Sequence, residues 1–273
     1  MGATSEHDAW DLGRSYDEYM GRWSRVVADV FLRRLAPDVR TRWADIGCGT
    51  GALTARIVSM CDPLSITGID PSAGFVALAA EHVGGQTAAH AGTGTARFEV
   101  GSAAAVPLAE DAVDIVTSAL AYNFFPDRPA ALAEFRRITR PGGTLAFYVW
   151  DYPGGGVEFI DEFWKHASRL DPAAATLDEA DRFPFCTADD LAVEVTAAGF
   201  ADVTVEPIVV ATPFADFDAF WSPFTLGAGP APGYLASLDP DSRGRLRASL
   251  AAGLRERVTE LTARAWAVTA ASP

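Results

Sequence analysis

A chain of 273 residues that is 49% hydrophobic, 11% aromatic and 21% charged has the composition of a globular protein with a real core. Its 36 acidic residues against 22 basic ones leave a formal charge of −14, a field that repels nucleic-acid phosphates and anionic lipid rather than neutralising them. Nucleic acid and membrane are therefore set aside as partners. Cys48, Cys61 and Cys186 form no CxxC pair and fit neither a disulfide framework nor a structural zinc site, which suits a reducing cytoplasm. The stretch from Met1 to Trp10 has no basic start followed by an apolar run, nothing approaches the ~18 apolar residues of a membrane span, and Glu6 stands where a myristoylation signal needs Ser or Thr. Lys165 is the only lysine. It is followed by His166 and preceded four residues earlier by Asp161, so neither a P-loop nor the Tyr-x-x-x-Lys of short-chain dehydrogenases is present.

From about residue 15 to residue 150 the hydrophobic pattern alternates helix and strand, which calls for a parallel sheet covered on both faces. Val26, Val27, Val30, Phe31 and Leu35 recur at helical spacing, and Pro37 ends that helix. A strand over Arg42 to Ile46 enters Gly47-Cys48-Gly49-Thr50-Gly51, after which Leu53, Ile57 and Met60 mark a helix. Ser65 to Ile69 reads as the second strand, ending at Asp70; Ser72 to Val83 as a helix; Gly84 to Thr95 as a loose loop. Arg97 to Val100 and Ala112 to Thr117 are the next strands. Arg128 to Thr139 is a helix stopped by Pro141-Gly142-Gly143, and Thr144 to Trp150 is an apolar, central strand.

Beyond Trp150 the pattern changes. Val157 to Leu170 is an amphipathic helix, and Thr187 caps another that runs to Ala198 and stops at Gly199. Val203 to Val210 and Leu261 to Val268 have strand character. Between them lies an aromatic insertion, 211–260, ending in a helix with Arg243, Arg245 and Arg247 on its wet face and Leu246, Leu250 and Leu254 on its apolar one.

Asp45 and the glycine-rich turn that follows it stand where a strand feeds a helix, a position at which glycines allow a tight turn and bring backbone N–H groups close to a ligand. By itself such a turn is equally a structural element. Asp70, at the end of the second strand, is placed to accept hydrogen bonds from both hydroxyls of a ribose, and the pair indicates a nucleotide-like ligand.

On Asp45 to Gly51, Gly68-Ile69-Asp70-Pro71, Phe98 to Ala103 through Pro107, Val113 to Val116 and Arg140 to Leu145, the chain resembles the class I S-adenosylmethionine (SAM)-dependent methyltransferases. It is most similar to their ubiquinone/menaquinone-biosynthesis group. Tyr19 to Ser24, Tyr122 to Asp127 and Ala263 to Val268 resemble a further branch of that family. The resemblance implies an α/β fold: a doubly wound, seven-stranded Rossmann-like sheet with the last strand antiparallel beside the fifth, and a helical cap. One domain, 1–273, would comprise N-terminal cap helices in 10–36, a SAM core over 38–150, and a C-terminal part, 151–273, bearing the cap insertion 211–260.

It also implies site roles. Asp45, Gly47 and Gly49 would border the methionyl part of SAM, Asp70 would hold the ribose, and Pro71 would flank the adenine. Ser102 and Ala103 would lie at the adenine edge, although the family more often has Asp at the position of Ser102. Ala119 would offer backbone to the cofactor, and Arg22 would pair with its carboxylate unless it is a solvated helix-face arginine. S-adenosylhomocysteine (SAH) would be the product.

The acceptor would be a small molecule with an oxygen, nitrogen or carbon nucleophile, and the protein a monomer or homodimer. Candidate walls of the acceptor pocket are Tyr16, Tyr19, Trp23, Phe124, Trp150, Tyr152, Trp164 and Trp221, each of which is alternatively core packing. Methyl transfer is an in-line displacement that alignment and water exclusion can accelerate without a base. His166 and Asp151 are the candidate proton acceptors; the alternatives are a surface histidine and a loop carboxylate bonding its own backbone. No metal is expected. The competing functions are a nicotinamide-dependent oxidoreductase on a similar sheet and a SAM-binding protein that runs a different reaction.

Overall fold

The structure, a computed structural model, describes residues 20–89, 95–226 and 229–273. Tyr16 and Tyr19 lie outside the described residues. In chain order the elements are α1 (Arg22–Leu35), β1 (Arg42–Ile46), α2 (Ala52–Cys61), β2 (Ser65–Asp70), α3 (Ala73–Ala89), β3 (Thr95–Val100), β4 (Val113–Ala119), α4 (Arg128–Ile138) and β5 (Thr139–Trp150). Then follow α5 (Glu158–Leu170), α6 (Glu179–Arg182), α7 (Ala188–Ala197), β6 (Ala201–Ala211), α8 (Phe217–Trp221), α9 (Pro230–Ser237), α10 (Pro240–Leu254) and β7 (Thr262–Ala271). The chain forms two compact units. A sheet unit takes 24–149, 188–208 and 266–273; a helical unit takes 20–23, 150–187 and 209–265.

The seven strands are ordered β3-β2-β1-β4-β5-β7-β6. All pairs from β3 to β5 are parallel. At β7 the direction reverses, as expected: Gly142 donates to the Ser272 carbonyl and Asp151 to that of Arg264, so one strand's numbers rise as the other's fall. The middle strands are buried along almost their whole length, the signature of a sheet covered on both faces.

Several boundaries differ from those read in the sequence. The buried stripe of α1 is Val27, Ala28, Phe31 and Leu32, whereas Val26 is exposed; from Ser24 onward this helix belongs to the sheet unit, with Phe31 packed on Tyr148 at 4.8 Å between ring centres. In α2 the buried residues are Leu53, Thr54, Ile57, Val58 and Cys61, and Met60 is exposed. α3 does not stop at Val83 but runs to Ala89, because nothing between is proline and an established helix tolerates glycines at roughly 1 kcal/mol each.

The Pro-Gly-Gly segment is not a break before β5 but part of it. Val113 pairs with Thr139 and Ile115 with Thr144, so the extra residues bulge, with Gly142 at φ +72°. Arg140, on that bulge, is held by Asp114, which also takes both guanidinium and backbone N–H bonds from Arg42.

In the helical unit α5 presents Phe159, Ile160, Phe163, Trp164 and Ala167 to the core, and the segment after β6 supplies Phe214, Phe220 and Phe224. Phe163 and Phe224 stack at 4.6 Å. The aromatic richness of the insertion thus serves largely to build this unit's own interior.

Candidate functional site

At the C-terminal end of β1 the chain turns sharply. Gly47, Gly49 and Gly51 all have positive φ, at +72°, +53° and +84°. Gly47 and Cys48 donate to the Ile69 carbonyl, and Gly51 donates to that of Cys48. Gly47 is dictated by a close approach: a Cβ there would sit 2.5 Å from the Ala121 Cβ, beyond β4. Gly49 differs, since a Cβ at that residue would meet no heavy atom within 4 Å. Its conformation requires glycine and the space beside it is open.

Asp70 ties this turn to β2. One carboxylate oxygen accepts from the Gly49 N–H at 3.0 Å and the other from the Ser72 N–H at 2.9 Å. Burial raises its pKa, against the pull of those two donors. Each carboxylate oxygen still has acceptor capacity left. Asp45 is completely buried, with one oxygen accepting from the Thr54 hydroxyl at 2.6 Å and the other, Oδ1, without a partner. Burial pushes its pKa up to about 7, with the Thr54 bond opposing and Asp70 adding to the rise. An orphaned acid oxygen, an open glycine face and a half-satisfied carboxylate fit a ligand bearing a cationic amine and vicinal hydroxyls, the donor groups of SAM.

Ser102 is exposed, and its hydroxyl accepts from the Ala104 N–H within its own tight turn. Ala119 closes β4, paired with Tyr148. The next residue, Leu120, has φ +56°, a left-handed conformation that costs a non-glycine residue ~1–2 kcal/mol. Then comes a turn of 3₁₀ helix over Tyr122–Phe124, in which Phe124 is exposed. Asn123 is buried and its Nδ2 has no partner. Tyr122 is fully buried, stacked on Phe147 at 4.6 Å, and its hydroxyl donates to Glu194 at 2.6 Å. Arg128 grips the same carboxylate. Neither Tyr122 nor Glu194 carried a role in the sequence; Tyr122 stands in a family-like segment, but nothing local marks its partner 72 residues on.

The remaining candidates belong to the helical unit. Arg22 lays its guanidinium over Trp23 at 4.0 Å and Phe214 at 4.5 Å, and partial burial lowers its pKa. Among the described residues no carboxylate pairs with it. Trp23 and Trp150 are buried, each with an indole N–H lacking a partner. Tyr152 packs on Phe183, and Trp221 on Phe217.

Trp164 is a correction: it is wholly enclosed, its N–H bound to buried Glu179, so it is a core residue and not a wall. Burial pushes Glu179 up to about 7. His166 is a second correction. It is not a surface histidine but a buried one, with Nδ1 2.7 Å from the Ser249 hydroxyl and its ring where a Cβ on Gly253 would fall. Burial lowers its pKa. Asp151 follows the loop alternative: one oxygen accepts from the Gly154 N–H at 2.9 Å and the other from Arg264 at 2.5 Å. No cluster of three or more His, Cys, Asp or Glu suited to a metal occurs among the described residues. No described helix is long and apolar enough to cross a membrane.

Residues 44–147 match the family model described as a methyltransferase domain, Methyltransf_11. The malonyl-[acyl-carrier protein] O-methyltransferase of Pectobacterium atrosepticum is 35% identical over 132 residues, 48% of this chain and 46% of that protein. O-methyltransferase cnsE of Penicillium expansum is 26% identical over 223 residues, 72% of this chain and 75% of that protein. With malonyl-[acyl-carrier protein] O-methyltransferases from Serratia marcescens and Methylococcus capsulatus the match spans 42% and 39% of their length, so the chain spans less than half of these curated relatives. Phosphoethanolamine N-methyltransferase 2 of Haemonchus contortus, solved in complex with S-adenosyl-L-methionine, superposes with a TM-score of 0.59 at 16% identity, covering 100% of this chain and 61% of that one. That likeness is one of fold. Sheet order, glycine turn and family model point the same way: over residues 44–147 the chain matches the methyltransferase domain Methyltransf_11.

Proposed function

We propose that this protein transfers the methyl group of SAM to a small-molecule acceptor. The observation that carries this reading is the joint geometry of Gly49 and Asp70: an open glycine face whose N–H is fixed by a carboxylate able to take two further hydroxyl donors. In it, Asp45, Gly47 and Gly49 border the methionyl part, Asp70 takes the ribose hydroxyls, Pro71, Ser102 and Ala103 serve the adenine, and Ala119 contributes backbone. When bound, SAM supplies an electrophilic methyl on a sulfonium.

The chain's own part is to bind, orient and exclude water. That Asp151 is tied to Gly154 and Arg264, and that His166 is buried beside Ser249, supports alignment over general-base catalysis, because both side chains are built into the fold. Trp23, Tyr152 and Trp221, all in the helical unit, are the residues we assign to the acceptor; Trp150, like Trp164, is enclosed in the core.

Thermal unfolding tests the cofactor. SAH at about 100 times its Kd should stabilise the protein by ~2.7 kcal/mol, and NAD should do nothing. Asp70→Ala should weaken SAH binding by ~1–3 kcal/mol, the usual cost of leaving polar partners unpaired. Stabilisation by NAD alone would replace this reading with the oxidoreductase.

A further inference from the structure

We propose that Tyr122, gripped by Glu194 and Arg128, is a positioning residue that sets the turn beyond β4 at the height the cofactor requires; this rests on the SAM reading above. The turn from Leu120 to Phe125 combines three features that fold stability alone does not favour. Leu120 is held in a left-handed conformation with its N–H on the Tyr148 carbonyl at 2.8 Å. Asn123 is buried with an unmet amide donor. Ala121 is pressed so near Gly47 that only glycine fits opposite it. Strained backbone and unmet polar groups persist where surrounding structure over-determines them, and they gather at ligand sites.

The restraint here is the Tyr122 hydroxyl. The residue has no exposed surface, its ring is stacked on Phe147 and edge-on to Phe125, and its O–H reaches across to Glu194 on α7. Arg128, at the start of α4, donates from Nε and Nη2 to the same carboxylate and fixes its orientation. The hydroxyl is too deep to touch a ligand, so it acts through the backbone of its own turn: Ala121 is its neighbour, and Ala121 abuts the glycine turn. Loss of the O–H would let residues 120–124 drift away from Gly47 and widen the gap the cofactor must bridge. An interaction that only held the fold together would change stability and leave affinity alone.

SAH affinity by calorimetry, read beside the melting temperature of the ligand-free protein, separates the two. Tyr122→Phe keeps the ring and removes only the hydroxyl; it should weaken SAH binding about tenfold, the size of one lost charge-assisted hydrogen bond. Glu194→Ala should do the same, and the double variant should be little worse than either, because both remove one interaction. Glu194→Gln retains an acceptor for the hydroxyl and should stay within about threefold of wild type. Asp29→Ala, which breaks the separate Arg56 pair in the same unit, should leave affinity unchanged. Should Tyr122→Phe fail to fold, the Glu194 pair of variants decides alone. Wild-type affinity in Tyr122→Phe and Glu194→Ala, with a lowered melting temperature, would overturn the proposal and leave the SAM reading standing. If the wild-type protein does not bind SAH, the SAM reading falls and the positioning role falls with it.

Discussion

Asp45 shows how far burial can tune a residue. Its carboxyl sits without solvent, with one hydroxyl donor, and titrates at about 7 instead of 3.8. A raised acid pKa in the folded state means that between those two values the native protein holds a proton that the unfolded chain has lost. Stability from this group is therefore complete below about pH 4 and declines as pH rises towards 7. Asp45→Asn cannot ionise, so it should gain on wild type as pH rises through this window, by an amount that denaturant titrations at pH 5 and pH 7.5 would measure. A constant difference at both pH values would mean that the carboxyl ionises normally in the folded protein. Asp45 stood out in the sequence because a glycine-rich turn follows it. Its orphaned oxygen did not, since that depends on what Thr54, nine residues later on α2, leaves unsatisfied.

At the scale of elements, what the sequence revealed was whatever local chemistry decides. β1 was legible to the residue because it runs straight into a glycine turn, and the start of α4 at Arg128 was read correctly; the structure shows Asp127 capping it, its carboxylate accepting from the Ala130 N–H. The start of β5 was not legible, since Pro-Gly-Gly signals a stop and only pairing with β4 makes it a bulged strand. His166 misled for a related reason: it flanks an apolar stripe, and α10 covers it through Ser249 and Gly253, 83 and more residues away in sequence.

Asp151 is the plainest case of a carboxylate whose surroundings explain it. It accepts from Gly154 within its own loop and from Arg264 on β7, while its N–H donates to the Arg264 carbonyl. It therefore fastens the end of β5 to β7. Because Asp151 is buried and Arg264 half exposed, Asp151→Ala should cost about 2 kcal/mol, less than the ~3–5 of breaking a fully buried pair. Calorimetric unfolding would show this loss. Full stability would mean the ion pair contributes nothing net.

Over the whole molecule the dominant electrostatic fact is a formal charge of −14 on 273 residues. Local pairs relieve part of it: Asp114 between two arginines is held well below the usual carboxylate range, and Glu134 is lowered by Arg137. Pairing cannot remove a surplus of acids, so the compact state pays a self-repulsion that the expanded chain largely escapes. Salt shortens the reach of that repulsion, from a Debye length of ~30 Å at 0.01 M to ~8 Å at 0.15 M, while exposed ion pairs such as Arg247 with Asp218 lose little because they are worth little. The net effect of adding salt over this range should be stabilising, a rise of a few degrees in melting temperature, and it should be the same with sodium chloride and with potassium chloride because screening depends on ionic strength alone. A melting temperature that falls with salt would mean that attractive ion pairs within reach of solvent, such as those Asp114 makes with Arg42 and Arg140, outweigh the surplus charge, because screening weakens exposed pairs far more than buried ones.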